Sequence, residues 1–186
     1  TYKETFTDIN SNKSEIDFMH RLMDIEYYEN GDTKAVKLPY TNGLSMIVVL
    51  GDTKNILDVI QNNKMTSEIV NVSLPKFKAE YSIDYTDTLK NMGIEKAFSN
   101  ANADFSLMLE NYPESIKIDS VLQKAMIDVD EKGTEAAAAT STIMVGTGAD
   151  TTLEKIIEFR ADKPFTYYIL DDSGNVYFAG RYVKAE

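Results

Sequence analysis

The chain has no cysteine, which excludes disulfides, thiolate nucleophiles and zinc–thiolate sites. The absence does not fix a compartment, because many secreted proteins also lack cysteine. Histidine occurs once, at His20. Ser-His-Asp chemistry would rest on it alone, and its setting, FMHRLM, offers no orienting acid nearby, so it reads as a strand or surface residue. Basic charge is scarce too: 19 Lys+Arg against 30 Asp+Glu give a net charge of −11. A nucleic-acid binder draws much of its affinity from a basic footprint, and an anionic membrane surface attracts polybasic segments. Neither is therefore expected as a partner.

Long apolar runs are missing as well. The longest, LSMIVVL at Leu44–Leu50, falls far short of the roughly 20 residues of a spanning helix. TYKETFTDIN, the first ten residues, has neither a basic region nor an apolar one, so it is not read as a signal peptide. The chain does not open on Met, which points to a processed or excised piece. No cofactor and no metal site is expected: DDSGN at Asp171–Asn175 lacks the spacing and terminal Glu of a calcium loop and reads as a hairpin turn. NKS (Asn12–Ser14) and NVS (Asn71–Ser73) are glycosylation sequons, the second set in a strand.

What is present is mostly strand. SEIDFMHRLMDIEYYENGDTKAVKLPY reads as strands folded over a turn at Glu29–Asp32, where Asn and Gly accept positive φ. GLSMIVVLG is a strand buried on both faces. TKNILDVIQNN places Ile56, Leu57 and Ile60 at helical spacing. EIVNVSLPKFKAEYSID reads as one long strand whose proline belongs at a bend or an edge. DYTDTLKNMGI is a helix with Asp84 as N-cap and Gly93 as its stop. NANADFSLMLENYPES is polar and irregular. IKIDSVLQKAMIDVDEKG is a second long strand, with Ile118, Val121, Ala125, Ile127 and Val129 facing inward. A terminal hairpin turns at Asp171–Asn175. The fold class is α+β: a strand-dominated chain with two short helices.

The segment Gly133–Gly148 carries almost nothing to bury. With strand periodicity, Thr134, Ala136, Ala138, Thr140 and Thr142 share one small, uncharged face, while Glu135, Ala137, Ala139 and Ser141 share the other. A flexible linker would be richer in Gly and Ser. Alanine also favours helix, and four alanines do not decide between helix and strand. Exposed loop, helix and latent strand all remain open on composition.

MIDVDEKGTEAAAAT, followed by FRADKPFTYYILDDSGNVYFAGR, resembles the serpins, the serine-protease inhibitors that insert their reactive loop. VKLPYTNGLSMIVVL, VNVSLPKFKAEYSIDYTDTLKNMGIEKAFSNANADFS and FAGRYV agree, in family order, from Phe6 to Val183. The resemblance implies a multi-sheet serpin fold of which residues 1–186 form the C-terminal part. The reactive-centre loop would span about 131–158, and the N-terminal half would be missing from this chain. It also implies an extracellular or cell-surface protein that is not an enzyme and has no catalytic residue.

The implied function is suicide-substrate inhibition. A target protease cleaves the loop and forms an acyl-enzyme; the freed hinge then inserts as a new sheet strand before hydrolysis. Such an insertion is strand addition, in which main-chain hydrogen bonds to the neighbouring strands supply the energy. The hinge would be Gly133, Thr134, Glu135, Ala136, Ala137, Ala138, Ala139 and Thr140. Counting from Gly133 puts the scissile bond at Thr147–Gly148, with Met144, Val145 and Ala149 as alternatives. Between Lys132 and Lys155 there is no Lys or Arg. An elastase-, subtilisin- or chymotrypsin-like target is therefore favoured over a trypsin-like one, which needs a basic residue.

Lys76 and Glu131 match the ion pair that holds the hinge out where it enters the sheet, although by themselves they read as two solvated charges. Gln123 stands where many serpins have His in the cluster that gates sheet opening, which puts a pH-sensitive gate in question. The partners implied are the protease and the missing N-terminal half. The alternative is a non-inhibitory serpin-like binding or carrier protein, whose hinge is often spoiled by bulky or charged residues.

Overall fold

The computed structural model describes residues 1–62, 64–108, 116–131 and 155–185. These group into two compact units, one of Thr1–Phe77 with Asp128–Glu186 and one of Lys78–Ile127. The larger unit is built on eight strands: β1 (Tyr2–Thr7), β2 (Lys13–Asn30), β3 (Thr33–Pro39), β4 (Leu44–Leu50), β5 (Thr66–Pro75), β8 (Ile157–Arg160), β9 (Phe165–Asp171) and β10 (Val176–Tyr182). Their order is β10-β9-β4-β3-β2-β5-β8, with β1 added to β2. All pairings are antiparallel except β5 with β8, which is parallel.

The apolar run LSMIVVL forms β4, an interior strand, and its burial on both faces follows from what lies on each side. Met46, Ile47, Val48 and Val49 are all at most 1% exposed. Ile47 and Val49 face helix α1 (Ile56–Gln61) and join a cluster with Ala35, Ile56, Val59, Met65 and Leu170. Val48 is opposite Tyr167 in β9, on the face where Phe77, Phe165, Tyr167 and Tyr182 lie with ring centroids 4.9–5.6 Å apart. Gly180 sits across from Tyr167 in the β9–β10 hairpin. A Cβ there would come within 2.3 Å of Cζ of that ring, so the close approach of the aromatic requires glycine.

The local readings hold in several places. Gly31, with φ +59, turns the β2–β3 hairpin between Asn30 and Thr33, whereas Asn30 stays outside the left-handed region. In the last hairpin Asp171 accepts the amides of Ser173 and Asn175 at 2.9 and 3.0 Å, and Gly174 has φ +82.

Elsewhere the structure departs from the sequence pattern. Leu57 is exposed; the buried face of α1 is Ile56 and Val59, with Ile60 partly buried. EIVNVSLPKFKAEYSID is two strands, not one. β5 ends at the fully buried Pro75, and the chain breaks at Lys76, whose N–H donates to the Asp17 carbonyl at 2.8 Å. β6 (Phe77–Asp84) then joins a different, two-stranded sheet with β7. Proline cannot donate to a ladder, and here it marks the change of sheet.

β7 (Leu122–Val129), whose residues up to Ile127 belong to the smaller unit, begins later than the sequence pattern places it. Ile118 lies outside the strand, its N–H donating to the Ala97 carbonyl at 2.9 Å. Within β7, Ala125 and Ile127 are half-buried between exposed neighbours, and Val129 is buried. Helix α2 is Thr86–Asn91 with Tyr85 at its N-cap. Asp84 acts one residue earlier than a cap, accepting the Thr86 N–H at 2.9 Å. The Thr86 side chain first, and then that backbone bond, hold its carboxyl below the usual range. Gly93, with φ +94, ends the helix as expected, and its N–H donates to the Lys90 carbonyl.

Candidate functional site: the strands flanking positions 132–154

Gly133 to Thr140, Thr147, Gly148 and the alternative positions Met144, Val145 and Ala149 lie outside the described residues. The elements on either side of that segment are described, and they carry two constellations.

The first is the expected ion pair. Lys76 follows Pro75 at the sheet break, and Glu131 follows β7. Lys76 Nζ lies 2.5 Å from Glu131 Oε2. Both side chains are open to solvent, and Thr1 Oγ1 also donates to Glu131. The bond from Lys76, then that from Thr1, lowers the Glu131 pKa from 4.5 to about 2. The same bond raises Lys76. An exposed pair of this kind adds little to global stability, and its consequence is local: it fixes the chain at the residue that precedes Lys132. Gln123, in β7, is exposed.

The second constellation surrounds His20. No acid lies within its FMHRLM setting, but strand pairing supplies one. Glu4 is opposite Ile16 on β2, His20 is opposite Ser73 on β5, and Ser73 is opposite Arg160 on β8. Opposed residues share a face of a sheet, as do residues two apart. Glu4, His20, Ser73 and Arg160 therefore line one face across four strands.

His20 Nδ1 lies 3.0 Å from Ser73 Oγ and 3.4 Å from Tyr2 Oη, and its Nε2 is 3.5 Å from Glu4 Oε1. Tyr2 stacks on the imidazole, centroids 4.0 Å apart and planes 3° apart. Arg160 Nη2 reaches Glu4 Oε2 at 2.7 Å, and its Nε donates to Asp162 Oδ2 at 3.1 Å. Ser, His and Glu are the residue types of a hydrolytic triad. Ser73, however, is only 5% exposed and lies mid-strand, so a substrate carbonyl has no access to its hydroxyl. These groups hold strands together.

Asn71, the sequon residue, does lie in a strand, and its Nδ2 donates to both carboxylate oxygens of Glu158 on β8 at 3.0 and 3.1 Å. None of the partnerships around His20 was visible in the sequence, because they depend on strand order rather than on spacing.

The family model described as Serpin (serine protease inhibitor) matches residues 1–185. The chain belongs to the serpin family. A serpin-like protein of Methanosarcina mazei is 36% identical over 195 aligned positions, covering 97% of this chain and 44% of that protein. Serine proteinase inhibitor 2 of Variola virus is 34% identical over 163 positions, covering 82% of this chain and 45% of the viral protein. Among solved structures, the thermophilic serpin Tengpin in its native state superposes with a TM-score of 0.74 at 30% identity, over 99% of this chain and 50% of Tengpin. The chain thus spans about half the length of the serpins it matches. The strand-dominated architecture of the described residues, with two short α-helices among them, is serpin architecture.

Proposed function

We propose that this serpin chain serves an irreversible suicide-substrate inhibitor of endopeptidases, with 133–140 as the inserting hinge. The observation that carries the reading is the coincidence of two features at one place. The Lys76–Glu131 pair pins the chain at Glu131, and GTEAAAAT, which begins two residues later, offers a small, uncharged face at alternate positions. The viral relative named as a serine proteinase inhibitor supports the same class.

The chemistry belongs to the protease. Its serine attacks the carbonyl before the scissile bond, we infer that of Thr147, and the amine of Gly148 departs. The acyl-enzyme is then carried with the hinge. About 15 residues from Thr134 at ~3.3 Å each span roughly 50 Å, and each inserted residue gains backbone hydrogen bonds of about 0.5–1.5 kcal/mol net. Insertion competes with hydrolysis of the ester, so small side chains at Thr134, Ala136, Ala138 and Thr140 favour trapping. No residue of the chain acts as a catalyst in this scheme. The absence of Lys and Arg from 133–154 favours an elastase-, subtilisin- or chymotrypsin-like target.

Incubation of the full-length protein with enzymes of these three specificities should give an SDS-stable adduct and a released peptide beginning at Gly148. Ala136→Glu should convert trapping to turnover. Clean turnover by the unaltered protein would instead point to a binding or carrier serpin, and undiminished trapping by Ala136→Glu would overturn the hinge assignment.

A further inference from the structure

Among the described residues β8 is the outermost strand of its sheet and the first element after positions 132–154. Its ladder partner is β5, through only four residue pairs, Val70↔Ile157 to Ser73↔Arg160. Parallel pairing is slightly weaker per residue than antiparallel, and short edge strands sit at the low-stability end of a structure. On backbone grounds β8 should be among the first parts of this unit to open.

Side chains supply what the backbone lacks. Arg160 crosses β5 and β2 to meet Glu4 on β1 at 2.7 Å, while Asp162 accepts from its Nε at 3.1 Å. Glu4 is itself held, since its side chain is only 10% exposed and its other oxygen faces His20 Nε2 at 3.5 Å. His20 is fixed in turn by Ser73 and by the stacked Tyr2 ring. Of these contacts the Nε bond to Asp162 has hydrogen-bond geometry; Glu4 Oε2 and His20 Nε2 are buried without a hydrogen-bond partner, so Arg160 is the charge that neutralises a largely buried Glu4 carboxylate through a close ion pair.

We propose that Glu4 and Arg160 are positioning residues that tie β8 to β1 and thereby fix the point at which the 132–154 segment rejoins the body. The tie needs no protease; its effect on trapping rests on the inhibitory function proposed above. During acylation the cut chain has to stay anchored after position 154 while the hinge leaves, and β8 with its Glu4–Arg160 tie is that anchor.

Two amides report on the tie directly: Ala161 N–H, which donates to the Ser73 carbonyl at 2.9 Å, and Thr7 N–H, which donates to the Asp162 carbonyl at 2.8 Å. In the full-length protein, Glu4→Gln and Arg160→Gln should each speed hydrogen exchange at both amides by about tenfold or more. The double variant should be no worse than either single one, and the exchanged pair Glu4→Arg with Arg160→Glu should recover protection. Arg160→Lys, measured alongside, covers the case in which the neutral variants do not fold. Unchanged exchange at Ala161 and Thr7, or additive effects in the double variant, would overturn the tie.

The ratio of trapped adduct to cleaved protein should also fall in Arg160→Gln. If exchange responds while the unaltered protein forms no adduct, the inhibitory function fails and the tie stands. If the unaltered protein traps protease and exchange does not respond, the tie fails and the inhibitory function stands.

Discussion

Glu131 accepts from the Lys76 ammonium at 2.5 Å and from Thr1 Oγ1, and these bonds bring its carboxyl from 4.5 to about 2. A carboxylate depressed on folding contributes above its unfolded pKa and loses that contribution as pH falls toward its folded one. The window here runs from about 4.5 down to about 2. A carbon-detected NMR titration should therefore find Glu131 with a midpoint near 2, and Lys76→Gln should move the midpoint back toward the ordinary carboxylate range. A midpoint already ordinary in the unaltered protein would remove the pair as a fixture beside the proposed hinge. Raised salt should have the same sense as acid, because both partners are exposed and screened. The residue types of this pair were legible in the sequence only through family resemblance, since Lys76 and Glu131 follow no local pattern that joins them.

At the scale of elements, legibility followed how strongly local chemistry agreed with tertiary context. LSMIVVL read as a two-faced buried strand because six apolar residues and one small serine leave no charged face to expose, and β4 is that strand. The DDSGN turn read correctly because Asp171 and Gly174 supply its hydrogen bonds and its positive φ locally. The stripe of α1 was misjudged at Leu57, since a helix of six residues is too short for periodicity to choose between adjacent faces. The break between β5 and β6 was hidden because alternation resumes after Pro75 as though the strand continued. These assignments have an energetic consequence. Ile47→Ala, in the cluster beneath α1, should cost about 2–5 kcal/mol. Leu57→Ala, at a side chain 37% exposed, should stay within about 0.5 kcal/mol. Denaturant midpoints at constant m value distinguish the two, and similar costs at both sites would contradict the packing described.

For the molecule as a whole, strand order is the information the sequence did not display. Periodicity says which face of a strand is buried but not which strand lies beside it, so the row Glu4, His20, Ser73 and Arg160 emerged only with the sheet. The proposed hinge, 133–140, is the converse case: its composition leaves loop, helix and strand open, and family membership is what favours a strand in waiting. That claim has one direct test. The full-length protein, cut once between Lys132 and Lys155, is compared with the uncut protein in thermal and denaturant unfolding. Insertion of 133–140 into a sheet adds hydrogen bonds worth about 0.5–1.5 kcal/mol for each residue seated, so the cut molecule should unfold at a clearly higher temperature and denaturant concentration. An unchanged or lower midpoint after cutting would contradict the account.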